Sequence, residues 1–165
     1  MTEPFHIEPL AQSHDRASFS SGVEPLDRYL QKQATQDIRR RVTACYVAID
    51  LTAIKIAGYY TLAAGGVPLT DLPEPLAKRL PRFPSVPVVR MGRLAVDQAY
   101  RGRKLGGALL WDAGTRALRS EIAAFAMVVD AKDEQAEAFY RHHGFVAFGS
   151  QARRFVLPLA TFAKA

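Results

Sequence analysis

Cysteine is nearly missing from this sequence: Cys45 is the only one, so no disulfide can form within these 165 residues. It stands between Ala44 and Tyr46 in an apolar, strand-like run from Val42 to Ile49, where buried packing is expected rather than nucleophilic chemistry. No stretch approaches the ~20 apolar residues that a bilayer-spanning helix needs, and the first residues show no basic-then-apolar leader pattern. A cytoplasmic protein without membrane contact is therefore expected. Metal-ligand spacing is also missing, and His6 and His14 lack any partner pattern, so no metal is expected. Two nucleotide motifs are absent. The Walker A ending Gly-Lys-Ser/Thr fails because Lys104 is followed by Leu105, and G-x-G-x-x-G fails because Gly102 is followed by Arg103, Lys104 and Leu105 before Gly106. Repeats, linkers and low-complexity segments are not seen.

What is present is ordinary globular material with a basic bias. The hydrophobic share of 48% and charged share of 23% suit a soluble domain, and the length favours one domain over residues 1–165 with a substantial core. The excess of 22 basic over 16 acidic residues gives a net charge of +6, which favours acidic partners such as nucleotides or nucleic acid. The basic residues cluster at Arg39-Arg40-Arg41, at Lys78, Arg79 and Arg82, and at Arg90, Arg93, Arg101, Arg103 and Lys104. Solvated faces account for most such clusters, and a polyanion groove is the functional alternative.

Hydrophobic periodicity gives the element order. Phe5 to Pro9 reads as extended, and Leu26, Tyr29, Leu30, Ala34 and Ile38 recur at helical spacing between Val23 and Arg41. Val42 to Ile49 and Ile54 to Leu62 read as consecutive strands, and Leu69 to Leu80 as a short, proline-interrupted helical piece. A strand from Val88 to Val96 precedes a helix from Leu105 to about Ser120, with Leu105, Leu109, Ala113 and Ala117 on one face and Trp111 taken as packing. Ala124 to Val129 is a strand, Asp133 to His143 a helix stopped by Gly144, and Phe145 to Phe148 with Arg154 to Leu157 a closing antiparallel pair. The order predicts a single-domain α/β fold with a mixed twisted sheet and flanking helices.

The densest chemical signal is the turn after the central strand. Leu94-Ala95-Val96 stops at Asp97, and Arg101-Gly102-Arg103-Lys104-Leu105-Gly106-Gly107 opens an amphipathic helix. Glycines let backbone N–H groups approach an anion, and the helix N-terminus adds the positive end of its dipole. With three basic side chains around the same turn, a pyrophosphate cradle is one reading. A solvated helix cap is the other.

This order resembles the GNAT superfamily of acyl-CoA-dependent N-acetyltransferases, whose turn motif is Gln/Arg-x-x-Gly-x-Gly/Ala. Arg101-Gly102-Arg103-Lys104-Leu105-Gly106 matches it except that Lys104 stands where glycine is usual, while Arg103-x-x-Gly106-x-Ala108 is a shifted match. The family's second motif, Asn-x-x-Ala-x-x-Phe-Tyr-x-x-x-Gly-Phe, is met by Asp133, Ala136, Phe139, Tyr140, Gly144 and Phe145, with only Asn replaced by Asp. A narrower likeness covers nearly the whole chain. Phe19-Ser-Ser-Gly22, Leu26-Asp-Arg-Tyr29-Leu30, Ala34-Thr-Gln-Asp37, Ile56-Ala-Gly-Tyr-Tyr60-Thr-Leu62 and Gly92-Arg93-Leu94-Ala95-Val96 are similar to GNAT toxins of bacterial toxin–antitoxin operons.

The resemblance implies a splayed central strand and a specific division of labour. Leu94, Ala95 and Val96 would pair with the pantetheine arm of acetyl-CoA. Arg101, Gly102, Arg103, Lys104, Leu105, Gly106 and Gly107 would hold its pyrophosphate, with Asp133 and Phe139 also on the cofactor side. Tyr140 is the expected general acid, because a phenol of pKa about 10 carries a proton at neutral pH and can give it to a departing thiolate. The implied acceptor is the α-amine of aminoacyl-tRNA, and acetylating it would block translation. With a pKa of about 7.7–8.0 that amine is substantially neutral, so the lack of a strong base in the sequence is tolerable. His142 and His143 are read as surface or cap residues. For tRNA, Arg90 and Arg93 are the leading candidates, with Arg39, Arg40, Lys78 and Arg79 on a broader patch.

The implied partners are a cognate ribbon-helix-helix antitoxin, operator DNA only through that antitoxin, and a second copy of the chain as a homodimer. Two other functions fit the same residues: a GNAT enzyme acting on a small amine or a protein N-terminus, and a co-repressor module in which catalysis is incidental.

Overall fold

The structure is a computed structural model and describes residues 5–163. Its elements are β1 (Phe5–Pro9), α1 (Glu24–Arg28), α2 (Ala34–Arg39), β2 (Ala44–Asp50), β3 (Lys55–Pro68), α3 (Glu74–Ala77), β4 (Ser85–Val96), α4 (Leu105–Arg119), β5 (Ala126–Asp130), α5 (Glu134–His142), β6 (Val146–Ala147) and β7 (Arg154–Pro158). The strands are ordered β1-β2-β3-β4-β5-β7-β6. β4 and β5 are parallel, while β1–β2, β2–β3, β5–β7 and β6–β7 are antiparallel, so the sheet is mixed as expected. Parallel pairing with β5 runs from Val88↔Ala126 to Met91↔Val129, whereas β4 itself continues to Val96.

The chain divides into two compact units, 1–63 with 92–113 and 64–91 with 114–165. The first has its own core, built from Phe19, Tyr29, Leu30, Val47, Ile56, Tyr59 and Ala95, with Cys45 buried among them. Burial of Cys45 raises its thiol pKa to about 12, which agrees with packing rather than nucleophilic chemistry. The second core gathers Val67, Leu72, Val86, Val88, Val128, Phe148 and Val156.

Two elements differ from the sequence expectation. The helical stretch between Val23 and Arg41 contains a π turn at Tyr29–Gln33, in which the Ala34 N–H donates to the Tyr29 carbonyl five residues back. That extra residue lets Tyr29, Leu30 and Ala34 all face the core. Strand β3 runs to Pro68, six residues beyond the expected Leu62. Ala63-Ala64-Gly65-Gly66 has none of the branched or aromatic residues that mark a strand. Its extended course is anchored by Val67, which is buried in the second core. Trp111, taken as packing, is 41% exposed on α4.

Candidate functional site

In the first unit the end of β4 is clamped before the basic turn begins. The Asp97 N–H donates to the Ala57 carbonyl at 2.8 Å, and its carboxylate accepts from the N–H groups of Ala99 at 2.9 Å and Ser20 at 2.8 Å. The Gln98 N–H returns a bond to the Ser20 carbonyl at 2.9 Å, and the Arg101 guanidinium donates to the Ser21 carbonyl. Gly22 closes this clamp: its φ is +87°, and a Cβ there would come within 2.4 Å of the Gln98 amide. The role of Phe19-Ser-Ser-Gly22 was not legible in the sequence, because its partners lie some eighty residues away.

Arg101, Gly102, Arg103 and Lys104 are all exposed, and Leu105 is buried as the first residue of α4. Tyr100 anchors the turn from below: it is buried, and its hydroxyl donates to Asp50 at 2.5 Å. That bond is the main reason the Asp50 carboxyl sits below the ordinary range. The Arg103 guanidinium lies 5.2 Å from the centre of the Tyr100 ring. Lys104 has φ +60°, the left-handed conformation for which glycine is the easy choice, and Gly102 has φ +80°. The lysine thus keeps the backbone shape of the motif position that it departs from, at a cost of about 1 kcal/mol. The first helical bond of α4 runs from the Ala108 N–H to the Lys104 carbonyl, so the N–H groups of Leu105, Gly106 and Gly107 have no helical carbonyl ahead of them. Free N–H groups, a positive dipole end and three exposed cations suit a diphosphate.

The first unit also holds Arg39 and Arg40, exposed at the end of α2, and Arg93, whose guanidinium lies 3.4 Å from the centre of the Tyr29 ring. The Tyr29 hydroxyl donates to Asp37 at 2.8 Å. Arg93 is therefore seated on an aromatic ring rather than projecting freely from the strand. His6 and His14, which lacked a partner pattern in the sequence, both meet Glu8, at 3.3 and 2.7 Å.

The second unit holds Tyr140, Phe139, Asp133, Arg90, Lys78 and Arg79. Asp133 is the N-cap of α5, its Oδ1 accepting the Ala136 N–H at 2.8 Å, a bond that an asparagine could also accept. At the other end Gly144, with φ +94°, turns the chain so that the Phe145 N–H meets the Tyr140 carbonyl at 3.1 Å. Tyr140 is buried with its ring edge-on to Phe139 at 5.3 Å and to Phe145 at 5.4 Å. Burial first, and the Asp130 carboxylate second, push its phenol well above the ordinary value, so it holds its proton firmly. His143 packs on Phe139 at 4.7 Å, and burial followed by the His142 charge lowers its pKa. Arg90 lies 3.4 Å from Asp130, which Arg154 also contacts at 2.9 Å. Lys78 and Arg79 are exposed, with the Arg79 guanidinium 5.7 Å from the Phe125 ring centre.

Among the described residues no cluster of His, Cys, Asp and Glu could hold a metal, and no helix is long and apolar enough to cross a membrane. A family model described as an acetyltransferase (GNAT) domain matches residues 43–147. A tRNA-acetylating toxin of Mycobacterium tuberculosis (strain ATCC 25618 / H37Rv) is 36% identical over 138 residues, covering 82% of this chain and 81% of that protein. The structure is also similar to AtaT complexed with acetyl-methionyl-tRNAfMet, with a TM-score of 0.86 and 25% identity over 96% of this chain and 97% of that one. AtaTR bound with AcCoA gives a TM-score of 0.80 at 25% identity, covering 98% of each chain.

Proposed function

The chain belongs to the GNAT family of acetyltransferases, and from that premise we propose that it transfers an acetyl group from acetyl-CoA to the α-amine of aminoacyl-tRNA, acting as a toxin that blocks translation. The observation that carries this reading is the likeness to a tRNA-acetylating toxin across about four-fifths of both chains. The basic balance of +6 and the likeness to a tRNA-bound AtaT support the same acceptor. In this reading residues 1–165 act as one GNAT domain in the cytoplasm, where aminoacyl-tRNA is found.

Acetyl-CoA supplies an activated acyl group as its thioester. The N–H groups of Leu105, Gly106 and Gly107, with Arg101, Gly102, Arg103 and Lys104, hold the diphosphate end. The backbone of Leu94, Ala95 and Val96 pairs with the amide groups of the pantetheine arm as a neighbouring strand would. A backbone N–H on the same stretch polarises the thioester carbonyl. Phe139 packs on Tyr140, and Asp133 sets the start of its helix. Tyr140 gives its phenolic proton to the departing thiolate as the new N–C bond forms and the C–S bond breaks. Water or a backbone carbonyl takes the proton from the amine, which needs no strong base.

On the acceptor side, Arg39, Arg40, Lys78 and Arg79 are exposed and contribute attraction to phosphates. Arg90 and Arg93, held by Asp130 and the Tyr29 ring, orient the acceptor end. A ribbon-helix-helix antitoxin neutralises the protein and brings it to operator DNA, and two copies form a homodimer. Regulated expression with a growth assay, joined to labelled acetyl transfer onto total aminoacyl-tRNA, tests the reading. Growth arrest with label that is released on deacylation of the tRNA is expected. Normal growth and unlabelled tRNA would contradict it.

A further inference from the structure

Arg93 leaves β4 half-buried and lies over the ring of Tyr29, its guanidinium 3.4 Å from the ring centre. Among the described residues its side-chain N–H groups meet no hydrogen-bond acceptor and no carboxylate pairs with it. Its nitrogens are nonetheless open to solvent: the buried side-chain atoms without a partner among those residues are on Thr61 and Thr115. A guanidinium held flat on an aromatic face keeps its edge donors in one plane, the geometry that a pair of phosphate oxygens accepts. The seat is itself held. The Tyr29 hydroxyl donates to one Asp37 oxygen at 2.8 Å, and the Gln33 amide donates to the other at 3.0 Å. Both ends of the π turn are thus tied to one carboxylate. These two bonds, that of Gln33 first, hold the Asp37 carboxyl below the ordinary range.

The side of the sheet separates this guanidinium from the diphosphate turn. On β3 the Tyr59 hydroxyl donates to the Leu26 carbonyl of α1 at 2.7 Å, whereas the next residue, Tyr60, donates to Asp112 of α4 at 2.5 Å. Successive strand residues face opposite ways, so α1 and α4 cover opposite faces. Arg93 lies with Tyr29, the residue that follows α1, while the turn at Arg101–Gly107 opens α4. Ala34 and Ile38 of α2 pack into the core of Tyr29 and Tyr59, so the exposed Arg39 and Arg40 stand on the α1 side too. We propose that Tyr29 and Asp37 are positioning residues that hold Arg93 as a fixed fork for a phosphodiester at the acceptor end of aminoacyl-tRNA. The inference rests on the aminoacyl-tRNA reading and on the place given there to Arg93. Two non-bridging oxygens sharing one negative charge match two parallel N–H donors. A lysine ammonium offers a point charge without that fork and cannot lie flat on the ring.

Binding of uncharged tRNA, and kinetics with aminoacyl-tRNA and acetyl-CoA, test the fork in Arg93→Lys, Arg93→Gln and Tyr29→Phe. Arg93→Lys keeps the charge, so it is expected to weaken tRNA binding about tenfold at an unchanged salt slope, with a matching rise in the aminoacyl-tRNA KM. Arg93→Gln should weaken binding further and flatten the salt slope by about one phosphate contact. The acetyl-CoA KM should stay within about twofold in both. Tyr29→Phe keeps the ring and loses only the bond to Asp37, so folding should be retained. Its tRNA KM should rise about threefold in the wild-type background and not at all on top of Arg93→Gln, a coupling that a merely structural role would not produce. Wild-type tRNA affinity in Arg93→Lys overturns the fork, and a rise in the acetyl-CoA KM alone moves the phosphate to the cofactor. Equal effects of Tyr29→Phe in both backgrounds overturn the positioning role. These results leave the acetyl-transfer reading standing. Wild-type protein that binds tRNA but labels no aminoacyl-tRNA contradicts that reading instead, and the binding loss in Arg93→Lys still decides the fork.

Discussion

The turn at Arg101–Gly107 and the helix end at Tyr140 are built in contrary ways. The turn keeps Arg101 to Lys104 exposed and leads, through left-handed φ angles at Gly102 and Lys104, into the first backbone N–H groups of α4. Tyr140 is buried against Phe139 and Phe145, and the same burial that packs it also fixes its protonation. The diphosphate seat proposed for the turn tolerates water, because backbone donors and cations would share the load among many partners. The single proton donor proposed at Tyr140 could not share its load. It needs one side chain kept neutral and aimed by its packing.

The largest expected effect separates these two modes at the turn. Replacing Arg101, Arg103 and Lys104 together by alanine should weaken acetyl-CoA binding by about a hundredfold, since each charge-assisted contact is worth about 1.5–3 kcal/mol before screening at an exposed site. Calorimetry reads this directly, and an unchanged affinity would move the diphosphate elsewhere. Next, exchanging Arg39, Arg40, Lys78 and Arg79 for glutamine should raise the tRNA KM about tenfold and flatten its dependence on salt. An unaltered salt slope would remove these residues from the tRNA path.

The pH profile sharpens the comparison from the side of Tyr140. Its phenol is raised above the ordinary value, so the protonated form persists through pH about 10 and the rate should show no falling limb below that point. The rising limb should instead follow the substrate amine near pH 7–8. By the same sign, burial of the neutral phenol supports folding fully below pH about 10, and that support fades as pH climbs toward the folded-state value. A falling limb near neutrality would transfer the acid role to another group.

The smallest effects are conformational. Asp133→Ala should cost about 1 kcal/mol through the lost N-cap, whereas Asp133→Asn should cost far less. Lys104→Gly should relieve the left-handed backbone and raise thermal stability slightly, while weakening acetyl-CoA binding if the amine touches phosphate. A fall in melting temperature would mean that the lysine side chain packs more than it strains.

The same contrast explains what could be read from the residues alone. The order of elements was legible, and so was the turn, because glycines and cations that serve one backbone segment must be neighbours in sequence. Spacing alone gives Tyr140 as a packed aromatic, which is how the structure holds it, and its proposed acid role comes only from the motif. The π turn at Tyr29–Gln33 stayed hidden because Leu30, Ala34 and Ile38 continue an unbroken four-residue row across it. The far half of β3 was hidden by Ala63-Ala64-Gly65-Gly66, whose course is set by Val67 in a separate core. The clamp of Ser20, Ser21 and Gly22 on Asp97, Gln98 and Arg101, and the seat of Arg93 on the Tyr29 ring, join distant residues that no local pattern connects.

Tyr140→Phe tests the division of labour most directly when turnover and acetyl-CoA affinity are measured on the same folded preparation. An affinity within about twofold of wild type and a loss of kcat of at least about a hundredfold, the range of a general acid, are expected. Wild-type turnover, or a loss of turnover that only tracks a loss of acetyl-CoA binding, would contradict it.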